Sequence, residues 1–171
     1  HALRAGGVST LESLDIGGGL GIRYQPEAGP GMDPAALAAV VGPLAAEAGL
    51  PVTMEPGRFL VGSAGVLLTE VLYRKHSGGR DFVIVDAAMN DLLRPSLYKA
   101  HHEIVEVVPA GRPAGPVDVV GPICETGDFL ALERTLPQVE PGERLAALCA
   151  KAYGFAMSSN YNTRGRAAEV I

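Results

Sequence analysis

The sequence predicts an α/β segment followed by an all-β one, with the change of texture near Gly62. Three observations carry this. Up to Arg58, a strand, a loop, a helix and a second strand follow one another, which is the order of a parallel βαβ unit. Beyond it, short β-rich runs alternate with Gly and Pro, as in an antiparallel β domain. Hydrophobic residues make up 47% and charged residues 19% of the 171 residues, a globular composition that excludes intrinsic disorder. The boundary is placed between residues 62 and 63.

Leu14-Asp15-Ile16 is the first strand and runs into Gly17-Gly18-Gly19. A turn-rich stretch, 25–31, follows. Asp33 before Pro34 marks a helix start, with an acceptor at the N-cap and a ring that pre-sets the first turn. Leu37, Val40, Val41, Leu44 and Ala48 recur on one helical face. Gly42-Pro43 predicts a kink in this helix, and Gly49 ends it. Residues 50–54 form the second strand, which closes on Glu55-Pro56-Gly57-Arg58. The later β-rich runs are 66–73, 81–86, 103–108, 117–123 and 144–148. Gly78-Gly79, the Pro-rich stretch 109–116 and Pro141-Gly142 separate them. Residues 87–98 read as a loop with a helical turn, and 155–166 as a polar loop.

Charge and composition remove several function classes. Lys and Arg number 14 against 19 Asp and Glu, a net charge of −5 that leaves no basic face for nucleic acid. No apolar run is long enough for a transmembrane helix, since the nearest, 59–72, contains Gly62, Ser63, Gly65, Thr69 and Glu70. Cys124 and Cys149 form no C-x-x-C, so neither a metal cluster nor a disulfide framework is expected, and a reduced, cytoplasmic chain is. The sequence begins with His1 rather than Met, and it is read as a piece of a longer chain.

Five stretches could carry chemistry. Three glycines directly after a strand let backbone N–H groups approach an anion, or simply make a tight turn. They are not a dinucleotide fingerprint, because Ile22 stands where the third Gly belongs, and no Gly-Lys-Ser/Thr follows to make a P-loop. Glu55 and Arg58 lie at the second strand end, on the same side of a parallel pair as Gly17–19. They suit either a charged ligand or a local ion pair. Arg94 and Tyr98 stand four apart on the helical turn, a spacing that could clamp a carboxylate or lie idle on a surface. Cys124-Glu125 joins a thiol to an acid at a turn, where the thiol is either a proton donor or a small buried hydrophobe. His101 and His102 would point to opposite faces of a strand, so no metal site is expected there.

Taken in order, Leu14-Asp15-Ile16-Gly17-Gly18-Gly19-Leu20-Gly21, Glu55-Pro56-Gly57-Arg58, the stretch 89–98 (MNDLLRPSLY), the stretch 121–128 (GPICETGD) and the stretch 153–164 (YGFAMSSNYNTR) resemble the diaminopimelate decarboxylases. The resemblance runs from about Leu11 to Ile171. It implies pyridoxal 5′-phosphate as cofactor and the end of a (β/α)8 barrel of the alanine-racemase type, followed by the carboxyl-terminal β domain. By this resemblance Gly17, Gly18, Gly19 and Gly57 hold the cofactor phosphate, and Glu55 faces the pyridine nitrogen. Arg58, Arg94 and Tyr98 hold substrate carboxylates, and Arg58 also belongs to the cofactor-binding set. Cys124 donates the proton that replaces carbon dioxide, Glu125 meets the far amino group of meso-diaminopimelate, and Tyr153 lies by cofactor and substrate. The Cys-Glu segment enters a partner subunit's site, which implies a homodimer with shared active sites.

Some positions depart from the family. Thr126 stands where Ser is frequent, and Lys151 stands where Gly is common. The family's cofactor lysine lies on an early barrel strand that this sequence does not contain, and Lys75, Lys99 and Lys151 do not match its context. The chain alone is therefore expected to be inactive. The competing readings are a decarboxylase of carboxynorspermidine or of another basic amino acid, and a non-catalytic relative that binds partners through the dimer surface.

Overall fold

The computed structural model describes residues 2–171. A short helix α1 (Ala2–Ala5) precedes strand β1 (Leu14–Asp15), helix α2 (Pro34–Ala48), strand β2 (Val52–Thr53) and helix α3 (Gly57–Val61). β1 and β2 pair in parallel, with Leu14 opposite Val52 and Asp15 opposite Thr53. The helix between them begins where expected: the Asp33 carboxylate accepts the Ala35 N–H at 2.9 Å. It ends on Gly49 in the left-handed conformation, φ 62° and ψ 33°, and runs on through Pro43. Its apolar face has little to pack on, with Val40 65% and Leu44 59% exposed. Between α2 and the strand pair lies a cleft of about 440 Å³ lined by Leu37, Val41, Ala45, Val52, Met54 and Phe59.

The remainder is built on one six-stranded sheet. Its strands are β3 (Leu67–Ser77), β4 (Arg80–Val85), β5 (Ile104–Glu106), β6 (Ala114–Val120), β7 (Phe129–Pro137) and β8 (Arg144–Ala147), in the order β5-β8-β3-β4-β6-β7. Helix α4 (Arg94–Tyr98) lies in the connection from β4 to β5. β3 and β4 form a hairpin across Gly78-Gly79, whose φ values of 59° and 74° make the tight turn that matches strand twist. Four of the five strand pairs are antiparallel, and β4 with β6 is parallel. The sheet is thus mixed rather than purely antiparallel. A parallel neighbour needs a long crossover, and the crossover here is the stretch that carries α4 and β5.

β7 has no counterpart in the sequence reading, for a physical reason. Leu130 and Ala131 are both buried, whereas Leu132 and Glu133 are both exposed, so the alternation of period two is broken. The break is a bulge: Glu133 has φ 49°, and the β6–β7 register shifts nearby. Asp118, buried in β6, accepts the Glu133 N–H at 2.7 Å and pairs with Arg80 at 3.1 Å, so its charge is satisfied where the ladder opens.

Val71, Val83, Val85, Val119, Leu130 and Leu145 form the centre of the core. The two edge strands approach each other and the sheet curls over this core. Arg134 of β7 ties them: its Nη1 donates to the His102 carbonyl at 2.9 Å and pairs with Glu103 at 3.6 Å. Both partners lie just before β5, so the arginine links the two edges of the sheet.

Candidate active site

The parallel register of β1 and β2 sets two loops side by side. Asp15 Oδ1 accepts the Gly17 N–H at 2.7 Å, and the Glu55 N–H donates to the Gly17 carbonyl at 2.8 Å. Gly17 and Gly19 take φ values of 67° and 91°, a region that side chains disfavour. A Cβ at Gly18 would stand 2.9 Å from the Glu55 carbonyl, so only glycine allows this approach. The Gly18 and Gly19 N–H groups have no partner among the described residues, and neither do the side chains of Glu55 and Arg58. The local ion pair weighed from sequence is therefore not formed. Gly57 opens α3 beside these groups.

From the glycine turn the chain runs on to Tyr24, whose hydroxyl accepts from Arg94 Nη1 at 2.9 Å. Arg94 opens α4 and is only 7% exposed. Its guanidinium carbon lies 5.0 Å from the Tyr24 ring centre and 5.8 Å from that of Tyr153, so two aromatic faces hold the cation. Nη1 also meets His102 Nε2 at 3.0 Å. Nε and Nη2 have no partner among the described residues and keep contact with solvent. Tyr153 itself has φ 63°, and the following Gly154 allows the turn, because a Cβ there would sit 2.1 Å from the Ala150 carbonyl.

Cys124 and Glu125 stand exposed on the turn between β6 and β7. Asp128 builds that turn from within. Its carboxylate accepts the N–H of Met89 at 2.7 Å and of Ile123 at 2.6 Å, and burial pushes its pKa up despite both bonds. Glu125 takes the Gly127 N–H at 3.2 Å and the Tyr161 hydroxyl at 3.3 Å. Gly127 packs on α4, since a Cβ there would be 2.8 Å from Ser96 Oγ. The carboxyl-terminal loop is fastened as well: Arg164 Nε donates to Asn90 Oδ1 at 3.1 Å, and the Ser159 N–H to the Asn90 carbonyl at 2.9 Å.

These features sit in a chain that matches a known family. The family profile for pyridoxal-dependent decarboxylase, C-terminal sheet domain, covers residues 33–150. The chain belongs to the pyridoxal-dependent decarboxylases. It is similar to the diaminopimelate decarboxylase of Aquifex aeolicus, with 52% identity over 163 residues that cover 94% of this chain and 38% of that protein. The Neisseria meningitidis serogroup A enzyme of the same name is 51% identical over 170 residues, covering 99% and 41%. Among solved structures, the diaminopimelate decarboxylase of Helicobacter pylori complexed with L-lysine superposes with a TM-score of 0.86 at 41% identity, covering 96% of this chain and 40% of that one. The chain thus spans about two fifths of the length of the curated relatives it matches.

Within this chain of the decarboxylase family the residues expected from sequence fall into three groups. Gly17, Gly18, Gly19, Glu55, Gly57 and Arg58 gather at the ends of β1 and β2. Arg94 and Tyr153 meet in the second group. Cys124 and Glu125 share the third, which abuts α4 through Ser96. Tyr98, at the other end of α4, is 62% exposed and makes no side-chain bond among the described residues, although Arg94 one turn earlier is buried. His101 and His102 precede β5 rather than lying in it, and they diverge. His101 bonds Gln25 at 3.0 Å and Glu103 at 2.9 Å, whereas His102 turns to Arg94. Among the described residues no cluster of His, Cys, Asp or Glu could hold a metal ion, and no helix is long and apolar enough to cross a membrane. Sequence reasoning gave no role to Tyr24, His102, Asp128 or Tyr161. The Tyr24–Arg94 contact spans 70 residues, and no local pattern signals it.

Proposed function

We propose that this chain is the carboxyl-terminal part of an enzyme that decarboxylates meso-2,6-diaminopimelate to L-lysine. Residues 1–62 are then the last part of its pyridoxal-phosphate-binding barrel, and residues 63–171 its β domain. The observation that carries the reading is the state of Arg94: a buried guanidinium gripped by two tyrosine rings, with Nη1 engaged and its Nε–Nη2 edge open. Such an edge forks onto a carboxylate through two parallel bonds.

The residues present fit the cofactor. The free N–H groups of Gly18 and Gly19 suit its phosphate, with Gly17 and Gly57 shaping the cradle. Glu55, without a partner of its own, suits the ring nitrogen. Pyridoxal phosphate, when bound, supplies the electron sink for the pair left by the departing carboxyl group. The rest falls to the chain's own side chains. Arg58, Arg94 and Tyr98 bind carboxylates, and Tyr153 lies against cofactor and substrate. The Cys124 thiol holds the proton that takes the place of carbon dioxide. Glu125 reads the far ammonium, which sets diaminopimelate apart from substrates lacking one.

The Cys124-Glu125 turn, exposed on this chain, supports a homodimer in which each copy lends the turn to the other's site. Both cysteines are free, which supports a reducing cytoplasmic setting. The test is a chimera in which this chain replaces the corresponding part of the Aquifex aeolicus relative. Release of carbon dioxide and L-lysine from meso-diaminopimelate is expected. Release from another basic amino acid or from carboxynorspermidine instead would overturn the assignment, and a folded dimer that decarboxylates none of them would leave the chain a binding module.

A further inference from the structure

We propose that His102 is a positioning residue that sets the carboxylate-binding edge of Arg94, and that it does so as the neutral tautomer protonated on Nδ1. The inference rests on the reading of Arg94 as a carboxylate binder and adds what orients it. His102 is fully buried, 0% exposed. Its Nε2 lies 3.0 Å from Arg94 Nη1, and its Nδ1 lies 2.9 Å from the Leu148 carbonyl. A guanidinium only donates and a carbonyl only accepts. Nε2 must therefore be the bare acceptor, and Nδ1 must carry the proton that goes to Leu148.

The arrangement commits one end of Arg94. Nη1 has two protons, and Tyr24 Oη and His102 Nε2 take one each. The Nε–Nη2 edge is left to face the ligand, and the two bonds at Nη1 together with the two rings fix the guanidinium plane. The Tyr24 ring meets the imidazole edge-on at 5.4 Å and 78°, so the three groups brace one another. Protonating His102 would turn Nε2 into a second donor aimed at Arg94, and the bond would be lost. The surroundings oppose that. Burial is the main cause that lowers the His102 pKa, and the charged groups around the ring, Arg94 on α4, His101 beside it and Arg134 on β7, lower it further against the Leu148 bond, which raises it.

The test compares two amides in the chimera. His102→Gln places a carbonyl near the position of Nε2 and keeps an acceptor for Arg94. His102→Asn places its amide near the position of Nδ1, keeps the Leu148 bond and leaves Arg94 unpaired. The Asn variant is expected to raise KM for the amino acid substrate about ten- to a hundredfold, the range for a lost bond to a charged group, with kcat little changed. The Gln variant is expected to restore KM. In the wild type KM should rise as pH falls below the ordinary histidine range, and the Gln variant should lack that rise. Equal KM values in the two variants would overturn the proposal, whether both are normal or both impaired. If the variants fail to fold, 15N spectra of the histidine-labelled wild type decide: a bare Nδ1 with a proton on Nε2 overturns it. These outcomes are separate from the substrate assignment, because every candidate amino acid presents a carboxylate to Arg94.

Discussion

The Tyr161 hydroxyl donates to the Glu125 carboxylate across 3.3 Å, joining residues 36 positions apart. The last loop of the chain thus reaches the turn that carries Cys124, and it is itself held by Asn90 and Arg164. Tyr161→Phe removes one hydrogen bond from Glu125 and leaves the turn otherwise intact. A net bond is worth about 0.5–1.5 kcal/mol, so KM for diaminopimelate should rise roughly two- to tenfold in the full-length enzyme. Glu125→Gln, which removes the charge, should cost more. Steady-state kinetics on both variants check the order, and an unchanged KM in Glu125→Gln would take Glu125 out of the substrate site.

Cys124→Ala should leave cofactor binding intact and abolish most turnover. Loss of a positioned general acid typically costs about 10²–10⁴-fold. Cys124 is exposed at a turn braced by Asp128, so its truncation leaves no cavity in the sheet. The cofactor's absorbance and kcat, measured on the same preparation, separate the two effects. Wild-type turnover in the variant would reassign the proton donor.

Asp128→Asn tests the brace. An amide can accept only one of the two N–H groups that now meet the carboxylate, and the other loses its partner at a cost of about 1–3 kcal/mol. The pH dependence has a definite sign. Burial raises the folded-state pKa of Asp128 above its unfolded value, so the folded chain binds the proton more tightly. Its contribution is most favourable at acid pH and declines as pH rises through the folded pKa. The wild type's advantage over the Asn variant should therefore narrow across that window, as read by unfolding midpoints at a series of pH values.

The chain produced alone should release no carbon dioxide from diaminopimelate and form no borohydride-reducible adduct with pyridoxal phosphate. Its lysines are poorly placed for one. Lys75 lies on β3 opposite Phe82, Lys99 ends α4 in a left-handed conformation, and Lys151 pairs with Glu169 at 2.7 Å. The apolar cleft beside α2 would face water, so limited proteolysis should remove residues before 63 faster than it cuts the sheet. A stoichiometric adduct on any of these lysines would refute this.

What the sequence discloses here is local. Asp33 and Gly49 announce both ends of α2, Gly78-Gly79 announces a hairpin, and Gly17-Gly18-Gly19 announces a turn that only glycine can make. Residue types and spacing picked out the stretches that could carry chemistry, and the roles of their residues follow from family motifs that are contiguous. What stayed hidden depends on partners distant in the chain. β7 escaped because Glu133 breaks its alternation, and the parallel β4–β6 pair because no local pattern encodes strand order. Tyr24 and His102 escaped because their value lies in Arg94, which they meet only after folding.

The bonds around Arg94 have a bearing on how the chain folds. Tyr24 comes to it from 70 residues upstream, and His102 is anchored to a carbonyl 46 residues downstream. Closing such long loops loses entropy before any contact rewards it, so these bonds belong to the slow, non-local phase of assembly. The β3–β4 hairpin is local, but the guanidinium acquires its two ring faces and its fixed edge only when Tyr24 from one end and Leu148 and Tyr153 from the other are all in place. A chain cut before Leu148 would still encode all six strands of the sheet, yet it would lack both the carbonyl that orients His102 and the Tyr153 ring, and its arginine would have no fixed edge to offer.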